Sequence, residues 1–288
     1  MKSNWIINSD NSIYHLGIRQ EQISPIIITV GDPSRVGMIS AHFDTIEFIK
    51  SSREFVTHTG IYKNKRITVI STGIGTDNID IVLHELDAVW NLNLQTGEPL
   101  PNFTPLTIIR IGTSGAIQND IPIDSFLISE YAVGLDGLMH YYSFIPSKEH
   151  LIIDREFNDM GLSVLRPYLV KANHELIQIF SDPIIQMGVS LTAPGFYGPQ
   201  GRSTRIKSNF PTLLDQYSKL SLGSLGRITN IEMETSALYG LSDIMNHRCI
   251  SLNAILANRL TGTFSDHPEK TIEKLIQITL KKIAFALN

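Results

Sequence analysis

The sequence predicts an α/β fold: a single domain with a central mixed β-sheet flanked by helices. Three observations carry this. Short β-branched runs recur along the chain and alternate with segments whose apolar residues fall at helical spacing. Three of these runs end in glycine-bearing turns, at Gly31, at Gly73 and Gly75, and at Gly112 and Gly115. No Pro/Gly/Ser linker, internal repeat or low-complexity tract divides residues 1–288, so one domain is expected.

The first strand is expected at 26–30, followed by Gly31-Asp32-Pro33. Asp32 can cap a helix by accepting its free N–H groups, and Pro33 suits the first helical position, where no N–H is needed. A second strand at 67–71 runs into Thr72-Gly73-Ile74-Gly75. Over 77–90, Ile79, Val82, Leu83, Leu86 and Val89 recur at helical spacing, with Asp80, His84, Glu85 and Asp87 at the polar positions between them. The polar, proline-bearing stretch 91–105 reads as a surface loop. A third strand at 106–111 leads into Gly112-Thr113-Ser114-Gly115. Further strands are expected at 125–133 and 184–192, a helix at 232–245 and a late buried strand at 249–256. The last helix starts around Asp266, Pro268 and Glu269, carries Ile272, Leu275, Ile276, Ile283 and Leu287 on one stripe, and has Lys281 and Lys282 near its end. Such a stripe marks a helix lying on a sheet far more often than a membrane or partner helix.

Composition narrows the function classes. With 42% hydrophobic and 18% charged residues, 288 residues can bury a substantial core. The net charge of −4 argues against a general nucleic-acid or membrane-surface binder, which would need a basic face. The single cysteine, Cys249, cannot form an intrachain disulfide, and no signal-peptide pattern or membrane-length apolar run is present. A cytoplasmic location is the expectation. The histidines show no metal-ligand spacing, so no metal is expected.

Three clusters could carry chemistry. Glycine turns at strand ends let the backbone approach a ligand and present N–H groups to an anion, yet none fits the P-loop or dinucleotide spacing. Arg35 falls in the first turn after Gly31-Asp32-Pro33. It either holds an anion there or is simply solvated or paired with Asp32. Arg110 lies in a strongly apolar strand, and a buried arginine needs a partner. In Phe196-Tyr197-Gly198-Pro199-Gln200-Gly201-Arg202, the aromatic faces, the Gln200 amide and the Arg202 fork could read the edge of a uracil ring, or form an ordinary loop. In Glu232-Met233-Glu234, one carboxylate could accept from ribose hydroxyls while Met233 packs on the sugar; acids opening a helix are the plainer alternative. His15 and Arg53 have no local companion of obvious chemical meaning.

Taken as an ordered set, these segments resemble the uridine phosphorylase branch of the nucleoside phosphorylase superfamily. The matching stretches are His15-Leu16-Gly17, Gly31-Asp32-Pro33-Ser34-Arg35-Val36, Arg53-Glu54-Phe55, Ser71-Thr72-Gly73-Ile74-Gly75 and residues 110–118. Phe196-Tyr197 with Gln200 and Arg202, then Glu232-Met233-Glu234 and Asn258-Arg259, complete the series across nearly the whole chain. The resemblance implies phosphorolysis of uridine, with 2′-deoxyuridine or thymidine as further candidates, by attack of inorganic phosphate on the anomeric carbon. It implies that Gly31, Arg35, Arg110 and Thr113 hold phosphate, with Arg53 supplied by a neighbouring subunit. Glu234 and Met233 would hold ribose, with the neighbour's copy of His15 at the 5′-hydroxyl. Gln200 and Arg202 would recognise uracil, Phe196 would pack on the base or sugar, and Arg259 would belong to a lid. The partners implied are a nucleoside, phosphate and further copies of the chain, at least a dimer and in similar bacterial enzymes a hexamer. No cofactor is required.

The chain departs from the pattern at Gly198-Pro199, where proline then glycine is usual, at Gly201, where an acid is usual, and at 192–195. Asn78 stands where such enzymes often carry a serine near a monovalent-cation site, and the 91–105 loop is longer than usual. The rivals are a purine nucleoside phosphorylase on the same fold, a nucleosidase using water, and a non-catalytic nucleoside-binding protein. The purine branch protonates its base with an aspartate in the region of Asn258, and an amide cannot do that.

Overall fold

The computed structural model describes residues 5–287. In chain order its elements begin with β1 (Ile26–Val30), α1 (Pro33–Ser40), β2 (Thr45–Ser52), β3 (Phe55–Tyr62), β4 (Lys65–Ser71), α2 (Thr76–Asn91), β5 (Thr107–Ala116) and β6 (Phe126–Gly134). They continue with α3 (His150–Asp159), β7 (Tyr168–Lys171), α4 (His174–Phe180), β8 (Ile185–Thr192), α5 (Leu213–Lys219) and β9 (Ile228–Glu232). The chain closes with α6 (Thr235–Ile244), β10 (Arg248–Asn258), β11 (Thr263–Phe264) and α7 (Pro268–Ala286).

All the strands join one mixed sheet in the order β11-β10-β6-β8-β9-β5-β1-β4-β3-β2, with β7 on β6. Because β10 also pairs with β5, the strands β5, β10, β6, β8 and β9 close into a ring. From that ring β1, β4, β3 and β2 extend as an open sheet. The shared strand is β5: its first half runs beside β1, while Gly115 and Ala116 meet Ile231 and Asn230 of β9. The strands β4, β1, β5 and β10 are mutually parallel. Covered on both faces, they read as unbroken apolar runs rather than alternating ones, with Ile27, Ile28, Val69, Ile70, Ile108, Ile109, Ile250 and Leu252 fully buried.

Helices α2 and α6 pack together on one face, joined by Ile79, Val82, Leu83, Leu86, Ala237, Leu238 and Leu241. Helices α1, α4 and α7 cover the other through Val36, Ile39, Leu176, Phe180, Leu275, Ile276 and Ile283. The Asp32 carboxylate accepts from the Ser34 N–H at 2.9 Å, so the cap expected at α1 forms. Among the described residues no helix is long and apolar enough to cross a membrane.

Two sequence expectations are corrected. Gly112 to Gly115 is not a turn after a strand but the second half of β5. Glycine is needed there because the Arg110 guanidinium folds across Gly112, where a Cβ would lie 1.8 Å from Nη1. The helix expected at 232–245 is a strand end followed by a shorter helix: Glu232 closes β9, and α6 begins only at Thr235. The two acids therefore do not open a helix as dipole-favoured first-turn residues. Glu232 is the last residue of the strand and Glu234 takes the cap position before the helix, and both are buried.

Candidate active site

The ends of β1, β4, β5, β9 and β10 gather the predicted residues. On the β1 side, Gly31 and Gly73 approach so closely that a Cβ at Gly31 would touch the Gly73 carbonyl at 3.4 Å. Arg35, in the first turn of α1, is only 9% exposed. It donates from Nη1 to the Ile111 carbonyl at 3.2 Å and has no ion-paired carboxylate among the described residues. Burial, and then the neighbouring Arg110 charge, pull its pKa below the ordinary arginine value. Arg35 is thus buried rather than solvated, and it forms no ion pair with Asp32, which caps α1 through the Ser34 N–H. A buried guanidinium beside a second one, with no carboxylate within ion-pairing distance of its own, is suited to receive an anion.

Arg110 is buried, and both its terminal nitrogens are engaged. Its Nη2 meets Glu234 Oε2 at 2.6 Å and Glu232 Oε2 at 3.2 Å, and Nη1 donates to Asn253 Oδ1 at 3.0 Å and Ser251 Oγ at 3.2 Å. Although burial alone would lower it, the two carboxylates raise its pKa, so it stays charged. Glu234 reaches the second glycine turn as well: Oε1 accepts from the Gly75 N–H at 3.0 Å. Gly75 holds φ at +98°, a conformation that keeps its N–H aimed at the carboxylate and favours glycine. Burial pushes Glu234 above its ordinary value of 4.5, with Arg110 opposing and Glu232 reinforcing the shift.

Glu232, which the sequence offered no reason to separate from Glu234, is the hub of this network. Its Oε2 accepts from the Glu234 N–H, the Thr235 N–H and the Thr235 hydroxyl at 2.9, 2.9 and 2.8 Å, and its Oε1 accepts from Thr192 Oγ1 at 2.5 Å. It thereby fixes both the backbone that carries Glu234 and the guanidinium of Arg110. Ser251 and Asn253 were the readable signal for such a network, since polar residues inside a buried strand must meet polar partners.

The second cluster gathers around the turn at 196–202. The Arg202 guanidinium lies 3.6 Å from the centroid of the Phe196 ring and donates to the Phe196 carbonyl and, at 2.6 Å, to Gln200 Oε1. Gln200 is 4% exposed, and its carbonyl accepts from Arg259 Nη2 at 3.1 Å. The other terminal nitrogen of Arg259, Nη1, is buried without a partner. Arg259 also covers the bend of β5, where a Cβ at Gly115 would meet its Cγ at 3.2 Å. This stacks the aromatic and arginine cluster against the strand that carries Arg110 and Thr113. Residues 259–262 form a tight hairpin between β10 and β11. Met233 is half-buried between the two glutamates, and Thr113 is half-buried on β5.

His15 and Arg53 are not brought into this group. Arg53 turns to Tyr14, its guanidinium 5.5 Å from the ring centroid. The charges acting on Arg35 are Arg110, Asp32 and Glu234, and Arg53 is not among them. His15 packs edge-on against the same Tyr14 ring at 4.7 Å. The two residues thus share one patch on the outer surface. No group of three or more metal-ligating side chains occurs among the described residues.

The phosphorylase superfamily model matches residues 25–284 of the chain. The chain belongs to the phosphorylase superfamily. A uridine phosphorylase of Thermococcus kodakarensis is 30% identical over 94% of this chain and 86% of its own length. A purine nucleoside phosphorylase of the DeoD type from Brevibacillus brevis is 27% identical over 92% of this chain and 96% of its own. Among solved structures, a Trypanosoma brucei nucleoside phosphorylase described as showing uridine phosphorylase activity superposes with a TM-score of 0.89 at 28% identity, covering 98% of this chain and 100% of that one. Within the superfamily fold, the buried pair Arg35 and Arg110 and the aromatic cluster around Arg202 lie at the same end of the sheet.

Proposed function

We propose that this enzyme is a uridine phosphorylase, cleaving uridine with inorganic phosphate to uracil and ribose 1-phosphate. The observation that carries the reading is the buried Arg35 without a counter-ion, set beside Arg110, which is itself tied to Glu234. Phosphate would bind between Gly31, Arg35, Arg110 and Thr113, and ribose hydroxyls would be taken by Glu234, with Met233 beneath the sugar. Arg110 then joins the two subsites, so that the attacking oxygen is placed against the anomeric carbon. Much of the barrier reduction is this positioning. As the sugar becomes oxocarbenium-like, the base departs with negative charge spread over its carbonyl oxygens, and Arg202 with Gln200 offers donors to that charge. Phe196 supplies a flat face for the ring, and Arg259 has a free donor to give.

Asn258 favours a pyrimidine over a purine. Its amide donates to the carbonyls of Gln118 and Ile121 at 2.8 and 2.9 Å and accepts from the Leu260 and Thr261 N–H groups at 3.0 and 3.2 Å. It is a saturated structural amide, unable to protonate a purine.

His15, half-buried, and Arg53, exposed, lie on one patch and would complete a neighbour's site, which makes the working unit at least a dimer. A monovalent cation is not part of this reading, because Asn78 stands where related enzymes often carry a serine near a cation site. The lone buried cysteine supports a reducing, cytoplasmic setting, and strands at both ends of the chain in one sheet support one domain over 1–288.

The test is uracil release from uridine followed by absorbance, with and without phosphate, and with inosine in parallel. Phosphate-dependent release from uridine alone is expected. Release without phosphate would make the protein a hydrolase, and cleavage of inosine would move it to the purine branch.

A further inference from the structure

Helix α2 carries an ionisable group that its sequence pattern places outside, yet Glu85 is only 7% exposed. Its carboxylate has no lysine or arginine partner among the described residues. It is satisfied instead by a single turn near the N-terminus: the His15 N–H reaches both oxygens at 3.0 Å, the Leu16 N–H reaches Oε2 at 2.9 Å, and His15 Nδ1 lies 2.6 Å from Oε1. A turn this tightly held has further anchors. Ser52 Oγ donates to the His15 carbonyl at 2.6 Å, and the Gly17 N–H closes onto the Ile13 carbonyl at 2.9 Å. The imidazole is therefore fixed in position and orientation, while its side chain keeps 29% exposure.

We infer that Glu85 is a positioning residue that sets the tautomer of His15. A carboxylate can only accept, so it holds the proton on Nδ1 and leaves the Nε2 lone pair directed outward. This is the arrangement by which a carboxylate orients a histidine for work at its far nitrogen. The inference rests on the proposed function, in which His15 serves the ribose 5′-hydroxyl of a neighbouring subunit. Nε2 then accepts the hydrogen bond from that hydroxyl, and uridine is favoured over a nucleoside that lacks it. An amide at position 85 would still accept from the two backbone N–H groups. It would, however, turn an N–H toward Nδ1 and drive the proton to Nε2, where it opposes the hydroxyl proton.

The experiment compares uridine with 5′-deoxyuridine in the full-length enzyme. In Glu85→Gln the ratio of kcat/KM for uridine over 5′-deoxyuridine should fall roughly tenfold, the size of one neutral hydrogen bond, with most of the change in KM. His15→Ala should lower the ratio by a similar factor, and the double variant should go no further, because both substitutions remove one interaction. A ratio unchanged in Glu85→Gln but lowered in His15→Ala overturns the role of Glu85 and leaves the site reading standing. A ratio unchanged in both overturns the role of His15 as well. Should Glu85→Gln fail to fold, nitrogen NMR of wild-type His15 in its neutral form decides: a proton on Nδ1 is expected, and a proton on Nε2 overturns the inference.

Discussion

Replacing Glu232 by glutamine tests the network with little change of shape. The wild-type side chain is 1% exposed, and both its oxygens are in use. Glutamine keeps one acceptor. With its carbonyl toward Glu234, Thr235 and Arg110, its NH₂ faces Thr192 Oγ1, which already accepts from the Ser236 N–H at 3.0 Å. The Thr192 hydroxyl proton is then left in a buried site without its acceptor, and Arg110 is deprived of a carboxylate at 3.2 Å while keeping Glu234. Removing one charge-assisted hydrogen bond, while Glu234 still holds the guanidinium, should cost about 2–3 kcal/mol. For a chain of this size that lowers Tm by about 3–5 °C. The functional loss is larger than the stability loss, because Arg110 and Glu234 move relative to each other. A displacement near 1 Å at such a site costs about 10²-fold. The assay is uracil release at saturating uridine with phosphate varied, alongside calorimetric unfolding. A higher phosphate KM, a reduced kcat and a lowered Tm are expected together. Wild-type kinetics in this variant would refute the role of Glu232 in holding the two subsites in register.

Other substitutions probe the remaining groups. Arg202→Ala should reduce uridine turnover roughly 10²–10³-fold while the fold persists, as circular dichroism would show, because it removes the donor for the departing base. Asn258→Asp should not create inosine cleavage. It sets a carboxylate against the Gln118 and Ile121 carbonyls and should destabilise the protein by about 2–5 kcal/mol, read from denaturant melts. Because burial raises Glu234 above 4.5, the acid limb of kcat/KM for uridine should lie above that value and disappear in Glu234→Gln. Glu234 is ion-paired to Arg110, but burial outweighs that pairing and raises its pKa, so the stability sign is that of a buried acid. The contribution of Glu234 is fully present below pH 4.5 and declines as pH rises through its raised value, so wild type minus Glu234→Gln should shrink with rising pH in thermal melts. Burial lifts the Cys249 thiol to about 12, so native protein should resist alkylation at neutral pH until it is unfolded, as mass spectrometry would report.

Local chemistry was legible in the chain. The cap at Asp32, proline at the start of α1, and the apolar periodicity of α2 and α7 follow from interactions within a few residues, and they stand as read. What could not be read depends on contacts distant in sequence. Gly112 and Gly115 serve a turn or a strand equally well until the Arg110 and Arg259 side chains are laid across them. Glu85 fits the polar face of a helix by spacing, and its burial comes from a turn some seventy residues away. The closure of β5 on β10 is a pairing between strands 141 residues apart at Arg110 and Ser251, which no window of local pattern contains. The site follows the same division. The residues proposed for phosphate, ribose and base were visible in order. The bond from Arg110 to Glu234, 124 residues away, and the hub at Glu232 were not.

The central claim is that phosphate, held by Arg35 and Arg110, is the attacking group. The most direct measurement is phosphorus NMR of the purified protein with uridine and inorganic phosphate, with uracil quantified in the same sample. The account predicts that a sugar phosphate forms in equal amount to the uracil released, and that Arg35→Ala abolishes both together. Uracil released without a matching sugar phosphate would contradict it.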